Sequence, residues 1–196
     1  MGTMGDTEQY AERFAEQWRA IDPETRTAAL NGGWYRESRR TARAMARRYG
    51  VSLKTTAGII AALSPRTHWA DNVRGAERVL YRRNLPDVLR ELAPIVPGFG
   101  ANVRKAERIA EGEDPLVVLG GDKVRAFYRA ILGDPDAVVI DVWMIRAAGE
   151  DPKVYKATGR AYALMAEALR IAADEAGASP ADFQAIVWTH VRGGAE

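Results

Sequence analysis

The sequence has no cysteine, only two histidines, five lysines against 23 arginines, and no apolar run of membrane-spanning length. Each shortage removes a class of chemistry. Without thiols there is no disulfide framework, thiolate zinc site, iron-sulfur cluster or cysteine nucleophile. His68 and His190 lie too far apart in sequence to suggest a metal site, so neither a metal nor another cofactor is expected. A spanning helix needs roughly 20 predominantly apolar residues, and the opening MGTMGDTEQY lacks the basic and apolar segments of a signal peptide. The expectation is a cytoplasmic or nucleoid-associated protein, or one of the host cytoplasm if viral, with no membrane and no obligate protein partner.

What is present is charge, unevenly placed. Between Arg36 and Arg83 there are twelve Lys/Arg and three Asp/Glu, whereas the whole chain of 196 residues carries a net +2. One region is therefore basic enough to attract a polyanion.

The dominant period is helical. Tyr10, Phe14, Trp18 and Ile21 make one apolar stripe behind Asp6 and Gln9, which have capping-box spacing. GGWYRESRRTARAMARRYG predicts a helix stopped at Gly50, and VSLKTTAGIIAALSP one capped by Ser52 and ended before Pro65. The latter is apolar nearly all round, as a central core helix would be. Further helices are expected over about Trp69–Arg82 and Asp87–Leu92, then a PGFG turn into ANVRKAERIAEG. Asp114 and Pro115 cap a brief helix, Gly120 and Gly121 break the chain, and DKVRAFYRAIL follows. GDPDAVVI predicts a turn and extended chain before a helix begun by Asp141; TGRAYALMAEALRIAADEAG and PADFQAIVWTHVRGG complete an all-α protein. Trp18, Trp34 and Trp188 at helical spacing are expected in the core, and His190 in a structural role.

Arg36, Arg39, Arg40, Arg43 and Arg47 share one helical face, opposite Tyr35, Ala42, Met45, Ala46 and Tyr49. That face suits a phosphate backbone, and equally suits a solvated surface opposite a core. In GGDKVRAF, a glycine turn entering a helix offers backbone N–H groups to a phosphate. Lys123 then stands at the positive helix end, where the dipole and a closed pocket would both favour loss of its proton. A neutral lysine amine attacks electrophilic carbon and forms a Schiff base, which arginine does not. An ordinary exposed first-turn lysine fits the same pattern. Asp141 is either a routine helix cap or a carboxylate that stabilises positive charge and moves a proton.

Three segments in order, IIAALSPRTHWADNVRGAERVL (Ile59 to Leu80), PGFGANVRKAERIAEG (Pro97 to Gly112) and LGGDKVRAFYRAILGDPDAVVIDVWM (Leu119 to Met144), resemble the core of the helix-hairpin-helix DNA glycosylase superfamily. That superfamily includes endonuclease III and 8-oxoguanine glycosylase. The resemblance covers Ile59 to Ala148, with GDKV and IDVWM similar to the 8-oxoguanine branch; VVLGG departs from the family hairpin L-P-G-V-G. It implies one all-helical domain over 1–196 in two lobes, a glycosylase-like core at 59–148 and a hairpin near 115–125.

It further implies that the partner is double-stranded DNA with a damaged or modified base, flipped into a cleft between the lobes. Lys123 matches the lysine nucleophile that attacks sugar C1′, and Asp141 the carboxylate that assists. Gly120 and Gly121 match the phosphate-binding hairpin, and Arg66 falls near the side chain that fills the gap left by the flipped base. His68, Trp69 and Asn72 follow it and are candidates to face DNA or base, with Trp143 a candidate to stack on the extruded base. The leading expectation is a base-excision glycosylase with AP-lyase activity. Two alternatives stand beside it: a base-modifying transferase or pyrophosphorylase-like enzyme acting on hypermodified thymine, similar to enzymes of bacterial viruses, and a noncatalytic DNA-binding protein.

Overall fold

The structure, a computed structural model, describes residues 4–93, 96 and 100–193. Twelve α-helices and no strand occur among them. They are α1 (Met4–Ala20), α2 (Pro23–Gly32), α3 (Trp34–Tyr49), α4 (Leu53–Leu63), α5 (Trp69–Arg83), α6 (Asp87–Arg90), α7 (Gly100–Ala110), α8 (Pro115–Val118), α9 (Asp122–Leu132), α10 (Val142–Ala147), α11 (Gly159–Glu175) and α12 (Pro180–Arg192). The protein is all-α. None of these helices is long and apolar enough to cross a membrane.

Local chemistry explains five of the twelve helix starts, those of α2, α4, α8, α10 and α12. The Ser52 hydroxyl accepts the Thr55 N–H at 2.9 Å, Asp114 accepts Leu116 N–H at 2.7 Å ahead of Pro115, and Ser179 accepts Asp182 N–H at 3.2 Å ahead of Pro180. Each satisfies an N–H that the helix itself leaves without a partner. Two starts differ from the sequence expectation. α1 begins at Met4, so Asp6 lies in its first turn and does not cap it. α2 was not expected, because PETRTAALNG has no apolar stripe; it is opened by Asp22, which accepts Thr25 N–H at 2.8 Å, and by Pro23. Pro97, Gly98 and Phe99 of the expected turn lie outside the described residues.

The chain divides into two compact units. One, Ser38–Leu132, is built around α4, whose residues Thr56 to Leu63 are all buried. Helices α5, α7, α8 and α9 pack against it. Ile59 and Ile60 are fully buried, each contributing about 1.5–3 kcal/mol of hydrophobic stabilisation. Gly58 sets the approach of α8: a Cβ there would fall 2.8 Å from Pro115 Cγ and 3.1 Å from Ile109 Cγ2. That contact seats α8, and with it the glycine turn that follows.

The other unit joins Met1–Glu37 to Gly133–Ala195. Here α1 packs on α11 and α12, while α2 and α10 pack on α12. Trp18 stacks on Phe183 with ring centroids 4.7 Å apart, in the core as expected. Residues 137–140 are buried and belong to no helix or strand. The Tyr162 hydroxyl serves instead, donating to the Val138 carbonyl at 2.6 Å and accepting the Ile140 N–H at 3.2 Å. A buried backbone needs such partners, and these fix the segment that delivers Asp141.

Candidate functional site

Asp141 follows this segment in a β conformation, φ −115° and ψ −171°, and caps α10. Its Oδ1 accepts the Trp143 and Met144 N–H groups at 2.9 and 3.1 Å. Its Oδ2 accepts the Trp188 indole N–H, from α12, at 3.0 Å. The carboxylate is half-buried, so it is held by three donors yet remains within reach of solvent.

Aromatic side chains surround it. Trp34 lies 5.9 Å from Trp188, ring centre to ring centre, and packs edge-on to Tyr35 at 5.1 Å. Tyr35 is buried and donates to Gln184 Oε1 at 2.6 Å. Its phenol is pushed well above the ordinary tyrosine value, first by burial and then by the Asp141 charge and Tyr162. Tyr35 therefore stays neutral beside the carboxylate. The Arg192 guanidinium sits over Trp188 at 4.8 Å, and that of Arg146 over Trp143 at 4.4 Å. Trp143, a candidate base-stacking residue, is thus half-buried with a cation on one face.

Sequence reasoning expected Trp34 and Trp188 in the core, but both are half-buried, and His190 is exposed. Trp34 and His190 line a cavity of about 130 Å³ together with Asp182 and Ile186. The role of Trp188 had no signal in the sequence, since its partner is 47 positions away.

The second expected residue, Lys123, belongs to the Ser38–Leu132 unit. It occupies the first turn of α9, behind Gly120 and Gly121, both exposed. Gly121 adopts φ +79°, a left-handed conformation that favours glycine. The Arg125 Nε–H donates to the Leu119 carbonyl at 2.8 Å, tying the turn to its own helix. Lys105 Nζ lies beside Gly120, 3.6 Å from where a Cβ would be. The Lys123 side chain is half-buried and makes no hydrogen bond or ion pair among the described residues. The first N–H groups of α9, like those of any helix, have no intrahelical partner.

The remaining expected residues lie on α3, in the segment between α4 and α5, and on α5. Arg36, Arg40, Arg43 and Arg47 are exposed, and Tyr35, Ala42, Met45 and Ala46 form the buried face of α3 as expected. Arg36 leans toward Asp182 at 3.9 Å. Arg39 is half-buried, with an Nε that is fully enclosed and has no hydrogen-bond partner. Arg66 is exposed at φ +61°, a conformation that bulky non-glycine residues rarely hold. His68 is exposed and its carbonyl accepts Asn72 N–H at 2.9 Å; Trp69 is half-buried. Asn72 lies inside the unit rather than on its surface, 2% exposed, and its Oδ1 has no hydrogen-bond partner. In this conformation it supports α5 from within and does not present a DNA-facing side chain.

Residues 2–195 match the profile of DUF7178, described as a family of unknown function. The chain belongs to that family. No curated protein and no solved structure matches it.

Proposed function

We propose that this protein is a DNA base-excision glycosylase with AP-lyase activity and a two-lobed, helix-hairpin-helix glycosylase-like fold. The observation that carries the reading is Lys123: half-buried, without a described partner, in the first helical turn after a left-handed glycine. The ordered resemblance from Ile59 to Ala148 supports it. So does the division of the chain into two compact units.

In this reading Lys123 and Asp141 act on one nucleotide of duplex DNA extruded from the helix. The Lys123 amine forms a bond to C1′ as the bond from C1′ to the base breaks. The electron pair leaves with the base, which takes up a proton, and the new aminium gives one up. The C1′–O4′ bond then breaks with its electron pair on O4′, which takes up a proton, as the nitrogen lone pair forms the C=N bond of the protonated Schiff base. Asp141 stabilises positive charge at the sugar and assists the proton transfers. Gly120 and Gly121 offer backbone N–H groups to a phosphate, and the exposed arginines of α3 supply salt-sensitive attraction to the backbone. The strained Arg66 backbone supports a role at the DNA, because strain of this kind concentrates at functional positions.

Borohydride trapping on duplex DNA with an abasic site tests the reading. A covalent adduct is expected with the unmodified protein and none with Lys123→Arg, whose DNA affinity should be nearly unchanged. An adduct of equal yield in Lys123→Arg would overturn the mechanism. Salt-sensitive binding with no adduct would favour a DNA-binding protein, for which the exposed Arg43 and Arg47 suffice.

A further inference from the structure

Asp141 has an unusual surplus of fixed donors for a helix cap. A carboxylate has about four acceptor positions. Two backbone N–H groups converge on Oδ1, and the Trp188 indole N–H takes one position on Oδ2. No further hydrogen bond to this side chain occurs among the described residues. One acceptor position is left, and it is on Oδ2.

A cap alone would not fix that outcome. With Oδ1 held by backbone, Oδ2 is still free to pivot about the Oδ1 contacts as the side chain rocks. The indole removes this freedom because it comes from a different helix, α12, against which α10 packs. Its own ring is restrained in turn: Arg192 lies over one face at 4.8 Å, and Trp34 meets it at 5.9 Å with planes inclined by 47°. A donor on a flexible side chain would follow the carboxylate; a packed indole makes the carboxylate follow it. Geometry held by such supporting contacts is what a reacting group requires, since small misplacements cost large factors in rate.

We propose that Trp188 is a positioning residue for Asp141, selecting Oδ2 as the single oxygen that faces the reacting sugar and orienting its remaining lone pair. This rests on the reading of Asp141 as the assisting carboxylate. Trp188 touches neither DNA nor base in this role. It also separates the duties of the two oxygens: Oδ1 holds the helix and Oδ2 does the chemistry.

Two measurements on the full chain test the assignment. In protein labelled with 15N at tryptophan, the Trp188 indole N–H signal, assigned by its loss in Trp188→Phe, should move upfield in Asp141→Ala. An unmoved signal would overturn the proposal whatever the activity. In single-turnover borohydride trapping at an abasic site, Trp188→Phe should slow adduct formation about tenfold or more, the loss expected for one hydrogen bond to a charged group. DNA affinity should not change, whereas a general loss of folding would weaken both.

The outcomes separate the proposal from the reading beneath it. No adduct with the unmodified protein sinks the glycosylase-lyase reading, and the positioning role with it. Adduct formation that needs Asp141 but runs at full rate in Trp188→Phe sinks only the positioning role. If Trp188→Phe does not fold, the indole signal in Asp141→Ala and the trapping rate of Trp188→His, which keeps a ring N–H, decide: a moved signal with partial rescue supports the role, and an unmoved signal removes it.

Discussion

The indole nitrogen of Trp188 lies 3.0 Å from Asp141 Oδ2, joining two helices across 47 positions of sequence. It makes Asp141 both the first residue of a helical segment and a tertiary contact. Substitutions there should separate these roles.

Asp141→Asn retains an oxygen able to accept the Trp143 and Met144 N–H groups, but its NH2 then faces the Trp188 indole N–H, donor against donor, so its thermal midpoint should fall through the lost tertiary contact while the cap is kept. Asp141→Ala loses the cap, worth about 0.5–2 kcal/mol, and strands the Trp188 N–H. Its midpoint should fall in calorimetry. Both variants lose the carboxylate charge, so trapping at an abasic site should slow by about two orders of magnitude in each.

Gly58 offers a test that involves no chemistry. A methyl there meets the Pro115 ring at 2.8–2.9 Å, and neither α4 nor the proline ring can yield easily. Gly58→Ala should destabilise by about 1–3 kcal/mol through overpacking, although alanine favours helix more than glycine does by about 1 kcal/mol. Denaturant unfolding would register the loss as a lower midpoint at unchanged slope. Stabilisation would mean that α8 does not press on α4 as described.

Arg43 and Arg47 are exposed and make no ion pair among the described residues. Replacing both with glutamine should leave stability unchanged. If each neutralises one phosphate, the slope of log affinity against log salt should shrink by about 0.9 per residue. Titrations at several salt concentrations would show it. An unchanged slope removes this face of α3 from the DNA interface.

Stability should also fall at alkaline pH. Tyr10 is raised by burial and by its hydrogen bond to Glu150, Tyr35 by burial and the Asp141 charge, and Tyr155 chiefly by burial. A raised folded-state value means that the unfolded chain gives up these protons first. Their contribution is complete below the ordinary tyrosine value near 10 and is lost as pH rises above it. Urea midpoints measured from pH 8 to 11 should drop above about pH 10. Tyr10→Phe should soften that drop.

Much of this fold is legible residue by residue. Ser52, Asp114 with Pro115, and Ser179 with Pro180 mark helix starts because a cap is a contact between residues two or three apart. The buried face of α3 was visible in the spacing of Tyr35, Ala42, Met45 and Ala46. The glycine break before Lys123 and the cap at Asp141 were visible for the same reason. α2 was missed because periodicity outweighed the Asp22 and Pro23 cap, and a short polar helix has no stripe to find.

By itself, the sequence determined the helical class, the basic character of the segment from Arg36 to Arg83, and the local settings of Lys123 after a glycine break and Asp141 at a helix cap, because these depend on local period, charge and side-chain type. Only tertiary structure decided that residues 4–37 share a unit with residues 133–193, that Gly58 must lack a side chain, that Asn72 is buried and that Trp188 leaves the core to hold Asp141. Those are contacts between distant positions, set by how helices pack and by which polar groups packing leaves to be satisfied, and no local pattern encodes them.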